Sequence, residues 1–295
     1  MGSLNAGAII ALDMEGRLFT VFDGEVLNHV NLSAIAEEGT NRQYLIAGGD
    51  GLWPAPEGTS LGYNYPTGKW RVPPGVSASR YLVDNATKKT ATIHCEVDLI
   101  NGLGIGIPTI FKRKISISKG KKSINVHVVE TIKYIGNKPL RHTDAILAPW
   151  SLCMLGSGPG CKAIFPCKDK SSVWDLYNDA KCTEMDWDGS ICRVATNGSH
   201  RYQVAMDEKV PWVEFHDINR GLIVHRQAEM LPVDQSYIDI SDVPPDLSPS
   251  GKGVRYSVYS DTNNFMEIEV AGGCPDVINP GTEMSLAVNT QFRQT

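Results

Sequence analysis

The sequence predicts an all-β fold, one large antiparallel sandwich, on three observations. Short segments in which polar and apolar residues alternate, the period of a half-buried strand, recur along the chain. Prolines at 54, 56, 66, 73, 74, 108, 139, 149, 244 and 245, together with frequent glycines, leave little room for long helices. No fixed-period repeat and no low-complexity linker divides the 295 residues, so 1–295 reads as a single domain.

In chain order, residues 31–38 suggest a brief helix. Residues 92–99 alternate cleanly, with Ile93, Cys95, Val97 and Leu99 on one face and His94, Glu96 and Asp98 on the other. Residues 114–118, a turn at Lys119-Gly120 and residues 123–133 form a hairpin. The basic cluster Lys112, Arg113, Lys114, Lys119, Lys121 and Lys122 brackets that hairpin and reads as a solvated face. Further strands are expected at 141–147, 190–195, 212–215, 222–226, 254–259, 265–270 and 284–292, with a second brief helix at 171–178.

Composition removes several function classes. Hydrophobic content of 42% with 21% charged residues describes a globular chain with a sizeable core. A net charge of -5 and pI near 5.8 give no electrostatic footprint for nucleic acid or an acidic membrane surface. No apolar run approaches the ~20 residues of a membrane helix. Residues 1–5 lack the basic segment and long apolar core of a secretory leader, which points to the cytoplasm; a leader already removed would escape that test. Seven cysteines, at 95, 153, 161, 167, 182, 192 and 274, are odd in number and form no Cys-x-x-Cys pair. Free thiols are therefore expected, and neither a metal nor another cofactor is implied.

Three segments could carry chemistry. In residues 264–270 the carboxylates Glu267 and Glu269 alternate with Met266, Ile268 and Val270, so strand geometry puts both acids on one face. On solvent that pair is idle; lining a groove, each acid perturbs the other's protonation as acid/base chemistry requires. Residues 47–58 set Asp50, Trp53 and Glu57 in a Gly- and Pro-rich loop. There Trp53 either plugs the sandwich end or walls a pocket. An indole face beside a hydrogen-bond acceptor suits a sugar, whose C–H faces are apolar and whose rim is hydroxyl. In residues 141–151, strand parity aligns His142 with Asp144 and Ile146, and Trp150 continues that face if the strand persists past Pro149. A histidine beside a carboxylate is a proton carrier near neutral pH. His94 with Glu96 and Asp98 presents a comparable polar face.

Taken in order, these segments resemble the galactose-mutarotase-like superfamily, and more closely a poorly characterised branch related to aldose 1-epimerases. The matching motifs are Gly48 to Glu57 (Gly-Gly-x-x-Leu-Trp-x-Ala-Pro-Glu), Leu147 to Ser151 (Leu-Ala-Pro-Trp-Ser), and the Glu-x-Glu strand that leads from Glu267 to Gly281. The resemblance implies a β-supersandwich whose concave sheet binds a carbohydrate. It implies Glu267, with Glu269 second, as the base taking the anomeric proton, and His142 as the acid protonating the ring oxygen. Asp50, Trp53, Glu57, Asp144, Trp150 and His94 would contact a small sugar. The chain departs from the branch where Asp50 and Gly51 replace a His-Arg pair, losing a base and a cation. A carbohydrate-binding protein with the same cleft and no turnover is the alternative, and a polysaccharide lyase or hydrolase ranks below it.

Overall fold

A computed structural model describes residues 1–3, 5–36, 46–177 and 185–295. Cys182, residues 37–38 of the expected first helix and Asn178 of the second lie outside the described residues. Two ten-stranded antiparallel sheets face each other across one apolar core, as the alternation predicted. In the first sheet Arg17–Phe22, Asp50–Ala55, Ala148–Gly156, Phe265–Ala271, Tyr256–Asp261 and Tyr202–Met206 lie side by side in that order. In the second, Leu222–Ala228, Glu283–Gln294, Ser123–Tyr134, Gly106–Lys119 and Thr90–Ile100 do the same. Helix is confined to short turns such as Leu32–Ala36, and residues 171–178 yield a 3-10 turn, Lys170–Ser172, followed by the strand Val173–Asp175. Among the described residues no helix is long and apolar enough to cross a membrane.

The expected strands at 92–99, 222–226, 265–270 and 284–292 appear as Thr90–Ile100, Leu222–Ala228, Phe265–Ala271 and Glu283–Gln294. The expected strand at 141–147 does not form. Leu140–Arg141 is a two-residue strand, residues 142–144 turn, and extended pairing resumes only at Ala148. The turn is closed by Asp144, whose carboxylate accepts from the Arg141 amide at 3.1 Å. Local capping thus overrides an alternating pattern of only a few residues.

Directly opposed residues of antiparallel strands share a face, so register fixes what each face of the first sheet carries. Leu18, Asp50, Cys153, Ile268, Val258 and Val204 form one row across the sheet. That row faces the second sheet, and Asp50 is its only charged member. The six described cysteines, Cys95, Cys153, Cys161, Cys167, Cys192 and Cys274, are buried and free.

The charge of Asp50 is met from the second sheet. Arg113 Nη2 donates to Asp50 Oδ1 at 2.5 Å and to Glu130 Oε1 at 2.8 Å, and Arg226 Nη2 donates to Asp50 Oδ2 at 2.9 Å. Two carboxylates and two guanidiniums therefore balance inside the sandwich. This corrects the expectation of a wholly solvated basic cluster. Lys112 and Lys114 face outward, whereas Arg113, one residue out of phase with both, is 0% exposed. A buried pair of this kind contributes little net stability beyond an apolar equivalent, but removing one member strands the others.

Candidate functional site

The opposite face of the first sheet carries a cleft. Its floor is two adjacent register rows: Met154, Glu267, Tyr259 and Gln203, then Gly51, Leu152, Glu269 and Ser257. Trp53 and Trp150 oppose each other one row further along, with ring centroids 6.5 Å apart and planes at 75°. Glu57, Trp70, Tyr177, Arg201 and Phe265 complete the walls of a cavity of about 130 Å³. Gly51 shapes the floor by omission: a Cβ there would stand 3.2 Å from Arg17 Nη1, so the glycine lets that guanidinium lie across the strand.

Parity placed Glu267 and Glu269 together, and the structure sets both in the cleft with Met266, Ile268 and Val270 in the core. Their surroundings differ. Glu269 Oε2 accepts from Gln203 Nε2 at 2.7 Å and from the Ser257 hydroxyl. Burial, then the charge of Glu267, raises its pKa well above the usual carboxylate range. Glu267 makes no hydrogen bond to a described residue, and burial pushes its pKa up to about 7 against the opposing pull of Arg17. Glu57 Oε1 accepts from Trp70 Nε1 at 2.6 Å and from Asn64 Nδ2 at 3.4 Å. Burial, helped by the charge of Asp242, pushes Glu57 up to about 8. Three carboxyls thus share one small, aromatic-walled space.

The cations nearby are already engaged. Arg17 Nη2 meets Glu15 Oε2 at 3.0 Å and its Nη1 donates to the Gly48 carbonyl at 2.9 Å. Arg201 lies over the rings of Tyr177 and Tyr259 at 4.7 and 5.5 Å, and its Nη2 sits 3.6 Å from Asp242 Oδ2. Two lining side chains are incomplete. Trp150 Nε1 and Gln203 Oε1 are buried with no hydrogen-bond partner among the described residues, although each residue is only 2% exposed. Orphaned polar atoms cost free energy unless something else meets them, and a ligand in the cleft is one way to meet them.

Of the candidates named from the sequence, Trp53, Glu57, Trp150, Glu267 and Glu269 line the cleft, while the four others do not. Asp50 belongs to the core network: the loop expected at 47–58 is a strand from Asp50 to Ala55, and three residues along a strand put Asp50 and Trp53 on opposite faces. His142 sits in the turn after Arg141 and bonds through Nε2 to the Pro275 carbonyl at 2.9 Å. Asp144 caps that turn. His94 Nδ1 pairs with Asp84 at 2.6 Å on the second sheet. None of the seven histidines lines the cleft; the one beside it, His29, stacks on Phe265 with centroids 5.2 Å apart.

Arg17, Trp70, Tyr177, Arg201, Gln203 and Tyr259 escaped the sequence. Only Tyr259 carried a signal, being in phase with Ser257 on an expected strand. A wider hollow of about 550 Å³ around Cys161, Lys162 and Met185 has no aromatic wall, and its Asp186 and Arg193 pair with each other at 3.6 Å. Among the described residues no group of three His, Cys, Asp or Glu side chains could hold a metal ion.

Residues 3–188 match the model of a family of unknown function, DUF6786, and the chain belongs to that family. The matched stretch includes Trp53, Glu57 and Trp150, whereas Gln203, Glu267 and Glu269 lie beyond it. No curated protein matches the sequence. Among solved structures, a galactose mutarotase-like protein from Lactobacillus casei aligns with TM-score 0.61 at 10% identity, covering 99% of each chain. The Slr1438 protein from Synechocystis aligns with TM-score 0.59 at 12% identity, covering 99% of this chain and 93% of its own. A putative aldose 1-epimerase from Escherichia coli aligns with TM-score 0.52 at 9% identity, covering 98% of this chain and 99% of its own. The fold is accordingly the galactose mutarotase-like β-supersandwich.

Proposed function

We propose that this member of the DUF6786 family binds a small carbohydrate in the cleft and interconverts its anomers by proton transfer between carboxyls. The single observation that carries the proposal is the position of Glu267, a carboxyl unbonded to any described residue, on the floor of an aromatic-walled cavity beside two further acids. Indole and phenol rings offer flat apolar faces for the C–H surface of a sugar, and the acids and orphaned polar atoms offer partners for its hydroxyls. Two of the similar structures are named as a galactose mutarotase-like protein and a putative aldose 1-epimerase, in keeping with this reading, but at 9–10% identity the likeness to them carries the fold alone.

The chemistry follows from the pKa order. Between about 7 and about 8 Glu267 is mostly ionised while Glu57 is mostly protonated. Glu267 takes the proton of the anomeric hydroxyl, the C1–ring-oxygen bond breaks, and Glu57 delivers a proton to the ring oxygen. The open aldehyde turns about its C1–C2 bond. Closure on the other face returns both protons and yields the other anomer. Glu57 takes the place that the resemblance gave to His142, because His142 is committed to Pro275.

The absence of a histidine from the cleft lining favours a second reading, binding without turnover. Saturation-transfer NMR of anomer exchange across a panel of aldoses separates the two. Exchange faster than in buffer, lost in E267Q with binding retained, supports catalysis. Saturable binding with exchange at the buffer rate supports the second reading, and neither binding nor exchange overturns both.

A further inference from the structure

Proton transfer at a sugar ring needs one acceptor and one donor, and Glu267 and Glu57 supply them. Glu269 is a third carboxyl for which that chemistry has no task. Its contacts show what it lacks. Both of its hydrogen bonds, from Gln203 Nε2 and the Ser257 hydroxyl, fall on Oε2, leaving Oε1 without a donor among the described residues. Gln203 donates to Glu269 through Nε2, and its own Oε1 is buried with no partner among the described residues. Two oxygens without a partner among the described residues therefore belong to the cleft lining. Burial and the charge of Glu267 keep the Glu269 carboxyl protonated until a cation is seated beside it, whereupon it ionises. The described cations do not supply a partner: Arg17 is engaged by Glu15 and the Gly48 carbonyl, and Arg201 by Asp242 and the Tyr259 hydroxyl.

A neutral hydroxyl has one hydrogen to donate and lone pairs that seek donors of their own. An ammonium group has three donors and no acceptor. Its charge also favours the ionised form of Glu269, so that the two form a charge-assisted hydrogen bond. The three carboxyls do not converge closely enough to hold a bare metal ion, which suits an organic cation that spans the space between them.

We propose that the cleft selects a monosaccharide carrying a free primary amine, its ammonium group seated between Glu269 Oε1 and Gln203 Oε1. This rests on the carbohydrate reading above and adds the substrate class. Titration calorimetry of the full chain near neutral pH tests it with D-glucosamine, D-galactosamine and D-mannosamine, each beside its neutral parent hexose and its N-acetyl derivative. At least one amino sugar should bind ~10-fold or more tighter than both counterparts, since a charge-assisted hydrogen bond is worth roughly a factor of ten or more. E269Q should bring that ratio close to one. Q203M should narrow it without removing the charge of Glu269. Neutral hexoses binding as tightly as the amino sugars in the unmodified chain would overturn the inference and leave the carbohydrate site standing. No binding by any of these sugars would overturn both.

Discussion

Arg226 reaches across the sandwich and donates from Nη1 to the carbonyl of Ile268 at 2.5 Å. Ile268 is the residue between Glu267 and Glu269, so a guanidinium of the second sheet anchors the strand that presents both acids. The same side chain holds Asp50 Oδ2 at 2.9 Å and the Ser151 hydroxyl at 2.8 Å. The buried ion network is thereby the underside of the cleft: its partners are spent in the core, and its effect on the site is to fix backbone.

Removing Asp50 tests that division of labour. D50A leaves Glu130 alone to balance Arg113 and Arg226, one buried positive charge in excess, and should lower stability by about 3–5 kcal/mol in urea unfolding. Under conditions where the variant is folded, sugar affinity should change little, because Asp50 does not line the cleft. A large affinity loss with unchanged stability would return Asp50 to the ligand.

Glu267 and His142 make opposite predictions. E267Q keeps the shape and removes the base, so anomer exchange should fall by roughly 10²–10⁴-fold with affinity within a few-fold of the unmodified chain. H142A removes one bond to Pro275 and should leave the exchange rate unaltered. Saturation-transfer NMR on both variants reads the difference.

The pH dependence of stability follows from the acids. Glu57 and Glu267 have folded pKa values raised from 4.5 to about 8 and about 7. Between 4.5 and those values the folded chain holds protons that the unfolded chain has released, so stability falls as pH rises through that window. Thermal melts should show Tm dropping from pH ~5 to pH ~8. E57Q, which cannot ionise, should melt several degrees above the unmodified chain at pH ~8 and close to it at pH ~5.

Trp150 offers a cleaner separation of binding from folding. W150F deletes an indole N–H that has no partner among the described residues and keeps an aromatic face. Tm should hold or rise slightly, since no internal hydrogen bond is lost. Sugar affinity should fall roughly 3–10-fold, the worth of one hydrogen bond, by calorimetry.

Parity was the most legible signal in the chain. It assigned Glu267 and Glu269 to one face and the intervening residues to the core, and both assignments stand because a long strand cannot slip register without turning its apolar face outward. The same rule applied to 112–114 would have drawn Arg113 inward between its two outward lysines. Parity failed where the extended segment was mistaken. Glycines and prolines suggest a loop over 47–58, which puts Asp50 beside Trp53, and alternation suggests a strand over 141–147, which puts His142 in line with Trp150. In both places the decision lies in long-range pairing: Asp50 is held by Arg113 and Arg226, and His142 by Pro275. Trp70, Tyr177 and the pair Arg201 and Gln203 come from three segments that only the folded sheet brings together; Arg201 and Gln203 are in phase with each other, but no strand is expected there from the sequence.

The most direct test of the central claim, that the cleft seats a sugar, is a ¹H–¹⁵N titration of the six tryptophan indoles with a panel of neutral and amino aldoses. Trp53, Trp70 and Trp150 line the cleft, whereas Trp174, Trp187 and Trp212 lie outside it. Saturable shifts confined to the first three indole signals, with Trp150 included, are the expected result. Shifts confined to the other three, or no shift with any aldose, would contradict the assignment of the cleft as a carbohydrate site.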